Sequence, residues 1–201
     1  MWRLNQNQLQ HIIFPLGNLA KKEVKNLARK FKLPVSGISE SQEICFVGNS
    51  LEEFLKRHLD LEPGEIIDKK EKVLGKHKGL ALYTIGQRKG IGLSGGPYYV
   101  LAKDTKNNLL IVTKNEKDLY KKELIAKDVN WISGKPPQFP IKVKAKIRYL
   151  HKPASATVYE IESQGKIKVV FDKPQRAITP GQSVVFYKGE EVLGGGIIEK
   201  S

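Results

Sequence analysis

The sequence holds one thiol. Cys45 stands in Ser41-Gln42-Glu43-Ile44-Cys45-Phe46-Val47-Gly48. A lone cysteine has two uses, as a small hydrophobe packed in a core or as a thiolate nucleophile in an accessible, electropositive niche. Its apolar flanks, Ile44 and Phe46-Val47, suit the first use, in a half-buried strand or turn. The second needs positive charge brought by other elements of the fold, because the neighbours in sequence supply carboxylates instead. With one cysteine in 201 residues, an internal disulfide and multi-cysteine zinc or iron–sulfur ligation by this chain are excluded.

A second segment, Thr84-Ile85-Gly86-Gln87-Arg88-Lys89-Gly90-Ile91-Gly92, combines two adjacent cations, Arg88 and Lys89, with an amide and three glycines that free the backbone for close approach. It suits a loop touching phosphates and equally a solvated Gly-rich turn. Ser94-Gly95-Gly96 resembles the start of a pyrophosphate loop. Pro97 and a strand follow, however, where a helix would have to open, so it reads as a turn. No GxxxxGKS/T run occurs, and no ATP site is expected within the chain. Gly194-Gly195-Gly196, ahead of Ile197-Ile198-Glu199, reads as a bulged closing strand. His11, His58, His77 and His151 lack HxxxH or HExxH spacing, so no metal site is expected.

The elements that must hold these residues follow from periodicity. Val24, Leu27, Ala28 and Phe31 recur at helical spacing after Asn18, a plausible N-cap, with Pro34 stopping continuation. Ser50 and Glu53 form a capping box ahead of a shorter helix over 51–59. Beyond Pro63, GEIID, KVLG, PYYVLAK and NLLIVT read as strands of a small antiparallel sheet. A Lys-rich connector around Lys121 and Lys122 then precedes KVKAKIRYLH, ATVYEI, KIKVVFD, SVVFYKG and EVLGGGIIE. With turns at Gly165, Pro174, Pro180-Gly181 and Lys188-Gly189, these predict a small barrel or sandwich. In the first of them Val143, Ala145, Ile147 and Tyr149 alternate with Lys142, Lys144, Lys146 and Arg148, giving one apolar and one cationic face.

The formal net charge of +14, from 35 Lys and Arg against 21 Asp and Glu, is spread along the chain and is strongest at its end. Such a field favours a polyanionic partner, though a lysine-rich solvated surface would produce it too. No window approaches a membrane span, the first ten residues are too polar for an export signal, and a cytoplasmic location is expected.

FPLGNLAKKEV, SQEICFVGN, PGEIID with VLGKHKG, YTIGQRKGIG, KIRY, TPGQSVVFY and LGGGII occur in the order found in the tRNA-specific 2-thiouridylases, the MnmA family, which the chain resembles from about residue 9 onward. The resemblance implies a mainly β fold with a short α/β remnant at the N-terminus. In that scheme 1–46 is the end of a pyrophosphate-loop catalytic domain, 47–120 a small central β-rich domain and 121–201 a C-terminal β-barrel. It implies persulfide sulfur transfer to C2 of the wobble uridine of tRNAs for Lys, Glu and Gln. Cys45 aligns with the persulfide-carrying cysteine, and Arg148, Tyr149 and Gln182 with tRNA contacts. Arg88 and Lys89 are added here as backbone contacts. A sulfur-relay protein would load Cys45. The SGGxDS loop and the family's partner cysteine have no counterpart, so ATP with Mg would be handled in a separate pyrophosphate-loop domain, and the chain alone is expected to be inactive. The alternative is a stand-alone RNA-binding β module without the chemistry.

Overall fold

The computed structural model describes residues 1–37, 51–149, 151–161 and 165–201. Cys45, and the Ser50 cap expected for the second helix, lie outside the described residues.

Helix α1 (Gln6–Leu9) is one turn closed by a capping box, in which Asn5 Oδ1 accepts from the Gln8 amide and Gln8 Oε1 from the Asn5 amide. It follows Trp2, whose indole is buried against the barrel. Helix α2 (Lys21–Lys30) starts three residues after the Asn18 cap expected from the sequence. The carboxylate of Glu23 reaches back to the Ala20 amide at 2.6 Å and serves as the start signal instead. Helix α3 (Leu51–His58) carries Glu52 and Glu53 in its first turn and Lys56, Arg57 and His58 in its last, a distribution that complements the helix dipole.

Strands β1 (Gly64–Ile67), β2 (Val73–His77), β3 (Tyr99–Asp104) and β4 (Leu109–Thr113) form a sheet of order β2-β1-β4-β3. The sequence suggested an antiparallel sheet, but β1 and β4 pair in parallel, Glu65 opposite Leu109 and Ile67 opposite Ile111. Their buried residues Ile66, Leu110 and Val112 share a core with Val100, Tyr83 and Ile91, and that burial selects the pairing over any local turn rule. His77 is a satisfied core histidine. Its Nδ1 accepts from the Gly79 amide, which leaves Nε2 protonated to donate to the Asn108 carbonyl.

Strands β5 (Tyr120–Trp131), β6 (Ile141–Lys146), β7 (Ala154–Ile161), β8 (Lys166–Arg176), β9 (Ser183–Lys188) and β10 (Glu191–Lys200) close a six-stranded barrel in the order β10-β5-β8-β7-β6-β9. The mainly β architecture with a C-terminal barrel is as expected. The Lys121–Lys122 "connector" is not. It opens β5, the longest strand, in which only Leu124 and Ala126 are buried, and Asp128 takes a left-handed φ of 51°. Pro174 also falls inside a strand rather than at a turn. It occupies the stretch of β8 where pairing to β5 jumps from Val170 to Gln175, a break in the ladder that tolerates a residue without an amide proton. Gly194-Gly195-Gly196 lies in a β10 with irregular register, as read from the sequence. A Cβ on Gly195 would stand 2.9 Å from the Trp2 ring, so glycine here admits the N-terminal segment to the barrel wall. Asn130 of β5 fastens that segment by donating to the carbonyls of Trp2, at 2.6 Å, and Leu4.

A candidate nucleic-acid interface

β6 ends at Lys146, so the alternation expected through Arg148 and Tyr149 stops there and the two side chains exchange environments. Tyr149, placed on the apolar face by the sequence, is 88% exposed. Arg148, placed on the cationic face, turns in and is half-buried. The cause is the partners available to a guanidinium. Arg148 Nη2 donates to the Ala177 carbonyl at 2.6 Å, to Thr179 Oγ1 at 2.9 Å and to the Ile85 carbonyl at 3.4 Å, while Nε donates to Gln182 Oε1 at 3.2 Å. Three motifs distant in sequence, around Ile85, Arg148 and Gln182, therefore meet at one side chain.

A second arginine reinforces the junction. Arg176 Nη2 donates to the Gly86 carbonyl at 3.2 Å, adjacent to the carbonyl that Arg148 holds, and its Nε pairs with Glu116 at 2.8 Å. Gly86 has φ of 85°, and a Cβ there would lie 2.6 Å from the Ala177 methyl, so this loop can seat on the barrel only with glycine. Within the loop Gln87 acts as a latch: its Oε1 accepts from the Thr84 amide and its Nε2 donates to the Lys89 carbonyl. The latch leaves Arg88 and Lys89 exposed.

The result is an exposed aromatic ring beside clustered cations. Lys146 Nζ lies 5.5 Å from the Tyr149 ring centroid. Arg148 forms no ion pair among the described residues, so its charge is answered by neutral oxygens: two backbone carbonyls, the Thr179 hydroxyl and the Gln182 amide. Burial first, then the charges of Arg148, Arg176 and Lys146, push the His151 imidazole below its ordinary value of 6.5. Clustered cations next to an exposed ring are suited to a phosphate and a nucleobase. No group of His, Cys, Asp and Glu able to hold a metal occurs among the described residues.

Three family models match the chain in succession: a tRNA methyl transferase HUP domain over residues 1–49, a tRNA methyl transferase PRC-barrel domain over 52–114 and an aminomethyltransferase beta-barrel domain over 121–198. The chain is 48% identical over 203 residues to the tRNA-specific 2-thiouridylase MnmA of Acetivibrio thermocellus, covering 99% of this chain and 56% of that protein. It is 48% identical over 205 residues to the MnmA of Clostridioides difficile, covering 100% and 56%. To MnmA 1 of Caldanaerobacter subterraneus subsp. tengcongensis it is 51% identical over 204 residues, again covering 100% and 56%. The chain belongs to the MnmA family. It spans a little over half the length of these curated relatives.

Within this MnmA-family chain the structure joins Arg148 to Gln182, leaves Tyr149, Arg88 and Lys89 exposed, and adds Arg176, Thr179 and His151, which sequence reasoning did not assign to the site. No spacing rule marks those three, since most of their partners are backbone carbonyls and neighbouring charges. The segment matching the HUP model exposes a run of apolar side chains, with Ile13 87%, Phe14 52%, Leu16 53% and Phe31 65% exposed. The depressed His151 gives a prediction. Below the ordinary value the unfolded chain takes up the proton first, so stability falls as pH drops through about 6.5 toward the lower folded-state value. Thermal midpoints of wild type and His151→Asn should converge above that range and separate below it, the wild type losing more.

Proposed function

We propose that this chain is the sulfur-carrying and tRNA-binding portion of a tRNA-uridine 2-sulfurtransferase, acting in the cytoplasm on tRNAs for Lys, Glu and Gln. The observation that carries the reading is the junction at Arg148, where the three family motifs converge beneath an exposed Tyr149. In this reading Tyr149 stacks on a base of the tRNA. Arg88, Lys89 and Lys146 answer neighbouring phosphates, while Arg148 and Gln182 fix the edge of the surface and add its charge.

Cys45 carries the reacting sulfur. Its thiolate takes the sulfane sulfur from the persulfide of a relay protein, whose own thiolate leaves. The terminal persulfide sulfur then attacks C2 of the uridine, and the adenylated C2 oxygen departs as AMP. Releasing the thiolated base from the enzyme sulfur requires a second thiol, which this sequence does not contain. ATP, with Mg, makes the C2 oxygen a leaving group. That step belongs to a pyrophosphate-loop domain, and the exposed apolar run at Ile13, Phe14 and Leu16 is the surface on which such a domain would pack.

The binding half of the proposal is tested with Tyr149→Ala. Because the ring is 88% exposed, the thermal midpoint should not move, while tRNA affinity falls by about 1–3 kcal/mol, the worth of one stacked base. Unchanged affinity in a folded variant would remove Tyr149 from the interface. The other reading, an RNA-binding module without sulfur chemistry, gives the same binding result and is separated from this one by Cys45.

A further inference from the structure

The parallel pairing of β1 with β4 has a chemical consequence at one edge of the central sheet. Because these strands run the same way, both carboxyl ends emerge at one edge, and the loops that follow them lie side by side. β2 starts at that edge because it is antiparallel to β1, and so does β3, where Tyr99 lies opposite Thr113. Lys69, Lys70 and Lys72 from the β1–β2 turn therefore meet Lys114 from the end of β4 and Tyr98 from the start of β3. Together they line an open cleft of about 330 Å³.

The backbone of the turn that carries Lys69, Lys70 and Lys72 is held closed. Asp68 Oδ1 accepts from the amides of Lys70 and Lys72, and the Asp68 amide donates to the Lys72 carbonyl, closing the turn. Lys114 Nζ lies 5.1 Å from the Tyr98 ring centroid. Tyr98 also borders a second open cleft of about 350 Å³, lined by Arg88, Gly90, Gly92 and Gly96, so the two depressions share a wall. The acidic groups here are Asp68, committed to the turn, the exposed Glu71, and Asp118, which pairs with Lys69 at 2.8 Å. Lys70, Lys72 and Lys114 are exposed, and none of them is in an ion pair among those found between described residues.

We propose that this edge is a second anion-binding surface, which takes the phosphodiester backbone of RNA along a track from Lys70, Lys72 and Lys114 past Tyr98 to Arg88. It rests on the tRNA-binding reading and extends it from the Arg88 loop along the central domain to the β1–β2 turn. An isolated phosphate would need one converging pocket. Two adjoining open clefts with cations strung along them fit a linear polyanion instead.

The test uses the full 201-residue chain and unmodified tRNA, with affinity measured by fluorescence anisotropy at several salt concentrations. The triple variant Lys70→Gln, Lys72→Gln, Lys114→Gln keeps the paired Lys69 and should keep the wild-type thermal midpoint. Its tRNA affinity at low salt should fall by roughly tenfold or more, and the slope of log affinity against log salt should lose about 2–3, near 0.7–0.9 per phosphate contact. A control triple, Lys106→Gln, Lys135→Gln, Lys188→Gln, removes the same charge elsewhere and should leave the slope nearly intact. Equal losses in both triples would show only the general field and overturn the surface, as would an unchanged triple variant. If the wild-type chain itself binds no tRNA, the underlying reading fails, and that result is distinct from either.

Discussion

Cys45→Ser should abolish persulfide labelling of the chain completely and leave tRNA affinity within about twofold of wild type. A serine hydroxyl can neither accept sulfane sulfur from a relay protein nor hold it, because the transfer forms a sulfur–sulfur bond at a thiolate. The persulfide so formed ionises more readily than a thiol and is the better nucleophile at neutral pH. The sequence contains no other cysteine to take over, so loss of labelling should be total rather than partial. Binding is assigned to Tyr149, Arg88 and Lys146 and sulfur transfer to Cys45, so binding should persist. Labelling that survives the substitution would contradict the sulfur-carrier assignment. Loss of labelling and binding together would indicate that Cys45 packs as a structural residue.

Arg148→Ala should damage both stability and binding. Three of its acceptors are oxygens of Ile85, Ala177 and Thr179, and the half-buried guanidinium answers them together with Gln182. A hydrogen bond to a charged group contributes about 1.5–3 kcal/mol, and orphaned carbonyls keep their desolvation cost, so a loss of about 2–4 kcal/mol is expected. Removing the charge should also weaken tRNA binding and flatten its salt dependence. Arg148→Lys should recover only part of either property, because a single ammonium on a flexible stem cannot reproduce the planar fork. Urea denaturation together with salt-resolved binding would check both halves. An unaltered unfolding midpoint would contradict the role of Arg148 as the clasp between the Gly86 loop and the barrel.

What could be read from the sequence divides along physical lines. The family was legible because short motifs with strict geometric demands occur in a fixed order, and the barrel was legible because β7, β8 and β9 alternate cleanly. β5 was hidden. Lys121, Lys122, Glu123, Lys127 and Asp128 break its alternation, and burial of only Leu124 and Ala126 leaves almost no pattern to detect. The parallel β1–β4 pair was invisible for another reason: strand direction is set by the shared core of Ile66, Leu110 and Val112, which no local turn encodes. Arg148 was named from the sequence but oriented wrongly. Its environment is fixed by carbonyls of residues 63 and 29 positions away, and backbone acceptors carry no sequence signature. Gly86 is the reverse case, since its type signalled a close approach whose partner, Ala177, appears only in the fold, whereas Gly195 was read as part of a bulged strand and its approach to Trp2 was not foreseen.

The central claim, that this chain supplies sulfur transfer and tRNA binding to a thiouridylase, is tested most directly by single-turnover 2-thiolation of unmodified tRNA. The reaction would contain ATP, Mg and a persulfide donor, with the chain supplied alone and then together with a pyrophosphate-loop domain bearing the partner cysteine. No product from the chain alone, thiolated tRNA on complementation, and none with Cys45→Ser is the predicted result. Absence of product on complementation while tRNA binding stays intact would contradict the claim and leave an RNA-binding module.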